Sequence, residues 1–168
     1  MTDRMDIGGS WVTPARLVGY LSGLRFFEGI GPEELSRLEP LLRAVCIPAG
    51  VTLFREGDPA LDLYFVIEGR VAIAHVFPGR EPLRIGHAGK GELFGWSAVV
   101  PPHEETATAE TVEPTIAVVL EGRALRALCD ADDKLALFFA RRLNLVLAAR
   151  LHAVRAEVFG LMSRLPAR

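Results

Sequence analysis

The 168-residue chain holds only two cysteines, Cys46 and Cys129, with no Cys-x-x-Cys spacing. So few thiols exclude a disulfide scaffold and a zinc ribbon, and they predict reduced, buried side chains in a cytoplasmic protein. Four histidines, His75, His87, His103 and His152, show no His-x-His or His-Glu-x-x-His spacing, so the ligand cluster of a cupin-like metalloenzyme is missing. His103-Glu104-Glu105 reads as a solvated loop rather than a cation site. No Ser/His/Asp or Cys/His pairing is legible, so no catalytic residue is assigned and an enzyme is not expected. No segment reaches the ~18 uncharged apolar residues that span a bilayer. The most apolar window, residues 135–149, is broken by Arg141 and Arg142. Residues 1–10 carry Asp3, Arg4 and Asp6 and lack the apolar core of a signal peptide. The net charge of −2 points to neither a nucleic-acid coat nor an acidic tail.

What is present is a change of period along the chain. Residues 1–15, with Gly8-Gly9-Ser10 and Pro14, are expected to be loose, with Trp11 as an anchor. A helical lead-in over 16–44 follows, in two helices, from Ala15 to Leu24 and from Gly31 to Ala44. In the second, Pro32 suits a first helical turn and Leu35, Leu38, Leu41 and Leu42 share a face. Phe26-Phe27 lies between them as a core cap. Over 45–121 the period is two. Strands are predicted at 45–47, 51–54, 63–67, 71–77, 83–85, 106–111 and 115–120, parted by Gly/Pro turns, which predicts an antiparallel sandwich or jelly roll. From 122 to 168 the pattern is helical again, with a short helix from Arg123 to Cys129, an acidic turn and a long helix from Lys134 to about Leu165. The fold class is α+β.

The most informative stretch is Gly-Lys-Gly-Glu-Leu-Phe-Gly-Trp-Ser-Ala-Val-Val-Pro-Pro-His-Glu-Glu-Thr-Ala-Thr-Ala, residues 89–109. A one-turn helix from Ser97 to Val100 after a glycine offers backbone N–H groups to an anion, and Gly95 admits close approach of a ligand. The segment 91–109 resembles the phosphate-binding cassette of the cyclic nucleotide-binding domain family, with Phe94-Gly95 and Thr106-Ala107-Thr108 in frame. The glycines at 50, 57 and 69 resemble the turns of that family's β-roll. The resemblance spans roughly residues 24–160. It implies a β-roll with N-terminal helices and a long C-terminal helix, a cyclic nucleotide or other small-molecule effector, and no cofactor. It also implies a ligand site made by Phe94, Gly95, Trp96, Ser97, Ala98, Glu105, Thr106 and Ala107.

Two positions depart from the family's pattern. Trp96 stands where its ribose-gripping glutamate would be, and Glu105 where its phosphate-pairing arginine would be. A carboxylate ~5 Å from a phosphate at an effective dielectric of about 20 repels by roughly 3 kcal/mol, and the lost arginine attraction is of similar size. Half of that total weakens binding about a hundredfold. The chain therefore reads as a stand-alone sensor or regulatory protein whose binding of cyclic AMP or cyclic GMP is doubtful, with Trp96 free to stack on a ring and Glu105 favouring a neutral or cationic group. The alternative is a ligandless dimeric interaction module of the same fold.

On the long helix, Leu137, Ala140, Asn144, Leu147, Leu151, Val154, Val158, Leu161 and Leu165 recur at alternating spacings of three and four. That is a coiled-coil seam with one polar register position, and it predicts a homodimer through Leu147, Leu151, Val154, Val158 and Leu161. Arg150 and Arg155 flank the seam and would face their copies across a close parallel pair. Phe138, Phe139, Leu145 and Val146 form a second stripe facing the β-roll. Residues 141–168 hold six arginines and one glutamate, +5, which leaves −7 on residues 1–140. The family's transcription factors carry a helix-turn-helix beyond this helix and this sequence shows none, so specific DNA binding is not expected and any output passes to a separate protein.

Overall fold

The computed structural model describes residues 14–162. Trp11, and the side chains of Leu161 and Leu165, lie outside the described residues. The chain runs α1 (Pro14–Ser22), a 3₁₀ turn (Arg25–Phe27), α2 (Pro32–Leu38), a second 3₁₀ turn (Glu39–Leu41), β1 (Leu42–Ile47), β2 (Thr52–Phe54), β3 (Asp62–Glu68), β4 (Arg70–His75), β5 (Leu83–Gly89) and β6 (Leu93–Phe94). A third 3₁₀ turn (Trp96–Ala98) leads to β7 (Thr108–Thr111), β8 (Thr115–Glu121), α3 (Gly122–Asp130) and α4 (Asp133–Met162).

The strands form two four-stranded antiparallel sheets, β1-β8-β3-β6 and β2-β7-β4-β5, the predicted jelly roll. Gly50, Gly57 and Gly69 sit in turns at φ +77°, +86° and +92°, a conformation that glycine adopts without strain. The predicted lead-in overshoots. Helix α2 stops at Leu38 because Pro40 has no N–H with which to continue the ladder. Residues from Leu42 onward pair with β8, Leu42 opposite Leu120 and Ile47 opposite Thr115. Cys46 faces outward from β1 and is exposed, against expectation; Cys129 is half-buried, and burial pushes its thiol up to about 11.

Strand β3 is buried on both faces. Leu63 and Phe65 point to the helices, while Tyr64 and Val66 point into the space between the sheets with Val71, Ile73, Ala88, Phe94 and Ala109. On the helical side the expected cap forms: Phe26 and Phe27 lie 5.2 and 5.0 Å from Phe65, with Phe138 and Phe139 of α4 closing the cluster. The start of α4 is set by Asp132, whose carboxylate accepts from the N–H groups of Lys134 and Leu135 and pairs with Arg37. The inward stripe of α4 is Leu135, Phe139 and Leu143, with Phe138 and Val146 half-buried. Leu145, predicted to face the β-roll, is 63% exposed. Its place in the 3.6-residue period lies beside that stripe rather than on it.

Replacing Phe65→Ala is expected to cost 3–5 kcal/mol, about the loss typical of a fully buried aromatic. Leu83→Ala, on an exposed side chain, should change stability by less than about 0.5 kcal/mol. Urea unfolding of both variants checks the pair.

Candidate functional site

The β5–β6 turn is built by Gly91 at φ +82° and by the Glu92 carboxylate, which accepts from the Gly89 N–H at 2.8 Å. It delivers Leu93 and Phe94 onto β3 opposite Phe65 and Tyr64. Because neighbouring strand residues face opposite ways, Leu93 enters the helical core and Phe94 the space between the sheets. The Phe94 ring stacks on Tyr64 at 4.7 Å. This two-residue strand was not predicted; it is too short to show a period.

Gly95 follows at φ +74°, and a Cβ there would lie 2.5 Å from the Asp62 carbonyl oxygen. Its missing side chain thus allows the chain's own close approach to β3. The turn after it is 3₁₀, one residue earlier than expected, and spans only three residues. Its end is tied down: the Ala98 carbonyl accepts from Arg126 of α3, and the Ser97 carbonyl lies 3.2 Å from Nδ1 of His103.

Seven of the eight sequence-predicted residues come together. Phe94, Gly95, Trp96, Ser97, Glu105, Thr106 and Ala107, joined by Phe54 and Ile73, line a cavity of about 20 Å³. That is room for about one water molecule. Ala98 is the exception: it is fully buried against α3, where a Cβ on Gly122 would meet it at 2.7 Å. Phe54 and Ile73 were missed, since they come from strands distant in sequence and show only ordinary alternation.

Glu105 is 5% exposed. Its backbone is strapped to the turn after β2: its N–H donates to the Asp58 carbonyl and its carbonyl accepts from the Gly57 N–H, both at 2.8 Å. Burial pushes its carboxyl up to about 7; a hydrogen bond with the Ser97 side chain pulls it back and the Asp58 charge raises it further. None of the ion pairs among the described residues involves Glu105. The center of the cassette is therefore a desolvated acid without a countercharge. Nearby, burial and then the Asp62 charge push the Tyr64 hydroxyl up to about 12.

Trp96 borders the cavity, while its ring packs against the helical core with the Arg150 guanidinium 5.8 Å from its centroid. Arg150 donates to the His87 carbonyl at 2.6 Å. This turns Arg150 inward, onto β5 and the cassette, and away from the like charge expected across the helix seam. Among the described residues no group of three His, Cys, Asp or Glu side chains converges as metal ligands.

Two packed antiparallel sheets, a glycine-led 3₁₀ turn closing a small cavity, and a long helix crossing the roll define a β-roll of the cyclic nucleotide-binding type. The family model "Cyclic nucleotide-binding domain" matches residues 44–132, and the chain belongs to this family. It is 34% identical over 123 residues to a CRP-like cAMP-activated global transcriptional regulator of Mycobacterium tuberculosis, a match covering 70% of this chain and 54% of that protein. It is 26% identical over 121 residues to a cyclic nucleotide-gated potassium channel of Mesorhizobium japonicum, covering 72% of this chain and 32% of the channel. The chain thus spans about half or less of the length of these relatives. A crystallised cyclic nucleotide-binding domain from Methylobacillus flagellatus shares the fold, with a TM-score of 0.73 at 23% identity over 92% of this chain and 85% of that one. The family is a regulatory one, attached in different relatives to different outputs.

A carboxyl raised from 4.5 to about 7 holds its proton in the folded state through that window, so folding stability falls as pH rises from about 4.5 to 7. Subtracting the pH profile of Glu105→Gln isolates this group from other titrations. Thermal unfolding should show Glu105→Gln matching the parent near pH 4.5 and exceeding it by several degrees at pH 8.

Proposed function

We propose that this chain is a regulatory domain of the cyclic nucleotide-binding family that does not take cyclic AMP or cyclic GMP, and that it acts through the outer face of α4. The observation that carries this reading is the buried Glu105 at the cassette's center, inside a cavity of about 20 Å³. A cyclic nucleotide would need the cavity enlarged many-fold and would set its phosphate against a desolvated carboxyl. Ionized Glu105 repels the phosphate, and protonated Glu105 still supplies none of the charge that an arginine would. A short ligand with a neutral or cationic donor group suits the acid and its aromatic wall better, and is the second reading.

The α4 face supports an output by self-association. Leu137, Leu151 and Val158 are 48–60% exposed, and Leu147 lines a groove with Val99, Val100 and Pro101 at the end of the cassette. Asn144 lies exposed within the seam. A second copy of the chain fits this stripe, and burying it removes a large apolar surface from water. No helix among the described residues is long and apolar enough to cross a membrane. A separate effector protein would receive the signal, in the cytoplasm, without specific DNA contact.

Calorimetric titration with cyclic AMP and then cyclic GMP should give no saturable heat at micromolar affinity; micromolar binding of either would overturn the reading. Glu105→Arg should gain at least tenfold in affinity for one of them. In sedimentation the parent should run as a dimer at micromolar concentration and Leu151→Asp as a monomer.

A further inference from the structure

The positive charge missing from the cassette lies on the other side of the same strand. A groove of about 450 Å³ runs between α4, the 3₁₀ turn Arg25–Phe27 and the β5–β6 turn, and three arginines are among the residues lining it: Arg25, Arg142 and Arg150. Its floor is apolar, with the buried Phe26 and Leu93 and the half-buried Val146, and the exposed Leu145 stands on its rim. We propose that this groove is a binding site for a small amphiphilic anion, a carboxylate or phosphate on a short apolar body.

The three arginines are arranged for such a ligand. Arg142 and Arg150 stand eight residues apart on α4, a little over two turns, so their side chains leave the helix about 80° apart. Each is pre-positioned without being neutralised. Arg142 donates to the Glu28 carbonyl and packs over Phe138, with its guanidinium 5.6 Å from the ring centroid. Arg150 donates to the His87 carbonyl and covers Trp96. Arg150 lies close over Gly86, where a Cβ would sit 2.9 Å from its Nη1. A guanidinium has five N–H donors, so one carbonyl leaves most of them unspent. None of the ion pairs among the described residues includes Arg25, Arg142 or Arg150. The groove's one carboxylate, Glu92, is already engaged by the Gly89 N–H. Burial also holds the Arg150 guanidinium below its ordinary pKa, with Glu92 acting in the opposite sense. A desolvated, positioned cation beside an apolar floor favours an anion carrying a hydrocarbon part over a bare, strongly hydrated ion.

The site also has a route to the cassette. Leu93 faces the groove and Phe94 the cassette cavity, back to back on β6, and Arg150 touches both the groove and Trp96. Occupation would thereby bear on the cassette and on α4 together. The proposal shares with the preceding reading only the premise that the domain is regulatory.

Octanoate is the probe, with octanol and inorganic phosphate as controls, titrated into the full chain at low and moderate salt. Saturable binding is expected with one octanoate per chain, weakened by salt, with octanol and phosphate each at least tenfold weaker. Arg142→Met and Arg150→Met should each lose tenfold or more. Arg25→Met, on the exposed rim, should lose affinity without loss of fold and keeps the test valid if a helix variant fails to fold. Absent binding, equal binding of octanol or of phosphate, or affinity indifferent to Arg25 and Arg142 would each overturn the proposal. Glu105→Gln should shift octanoate affinity by less than tenfold through that route; abolished binding there would place the ligand in the cassette and overturn the groove. The cyclic nucleotide titrations are indifferent to all of these results.

Discussion

The contact on which the rest depends is Phe65 packed against Phe26 and Phe27, which in turn hold Phe138 and Phe139 of α4. Two helical segments distant in sequence join their aromatic rings in one cluster over a strand of the first sheet, and such tilted, edge-on and stacked pairs leave little freedom to slide. This fixes the base of α4 on the roll. With the base fixed and Asp132 capping its first turn, the helix carries Arg142 to the Glu28 carbonyl and Arg150 to the His87 carbonyl. The cassette is then held from two sides, by Arg150 over Trp96 and by Arg126 on the Ala98 carbonyl.

That double hold pins the end of the three-residue 3₁₀ turn, and Gly95 lies close against the Asp62 carbonyl. Inside the cassette stands an acid rather than a base, strapped through its backbone to the Gly57-Asp58 turn. The same strand that walls the cavity presents its other face to a groove lined by arginines. Charge has thus been arranged in opposite senses on the two faces of β6.

Much of this was legible in the sequence, and the misses have physical causes. Alternation and Gly/Pro turns yield the roll, because period two and positive φ leave strong marks at positions such as Gly57 and Gly69. The cassette residues were legible because they are nearly contiguous, and the odd residues Trp96 and Glu105 were visible as departures from a resembled pattern. Phe54 and Ile73 were not, since nothing local distinguishes one inward-facing strand residue from another. Leu42 to Ala44 read as helix because leucine spacing outweighed the Pro40 break. Leu145 read as inward because a single apolar residue cannot report the phase of a helix to within one position. Arg150 read as a flanking charge; only tertiary packing reveals that it bends back to His87.

The desolvation of Glu105 at the cassette's center shows itself most directly in the protonation of its carboxyl. A carbon-13 NMR titration of the Glu105 carboxyl, assigned by comparison with Glu105→Gln, measures it directly. The buried, unpaired acid described here should titrate with a midpoint near 7, as its burial and the Asp58 charge require. A midpoint at the ordinary value near 4.5 would mean that Glu105 is solvated or paired with a cation at neutral pH, and would contradict a cassette organised around a desolvated carboxyl.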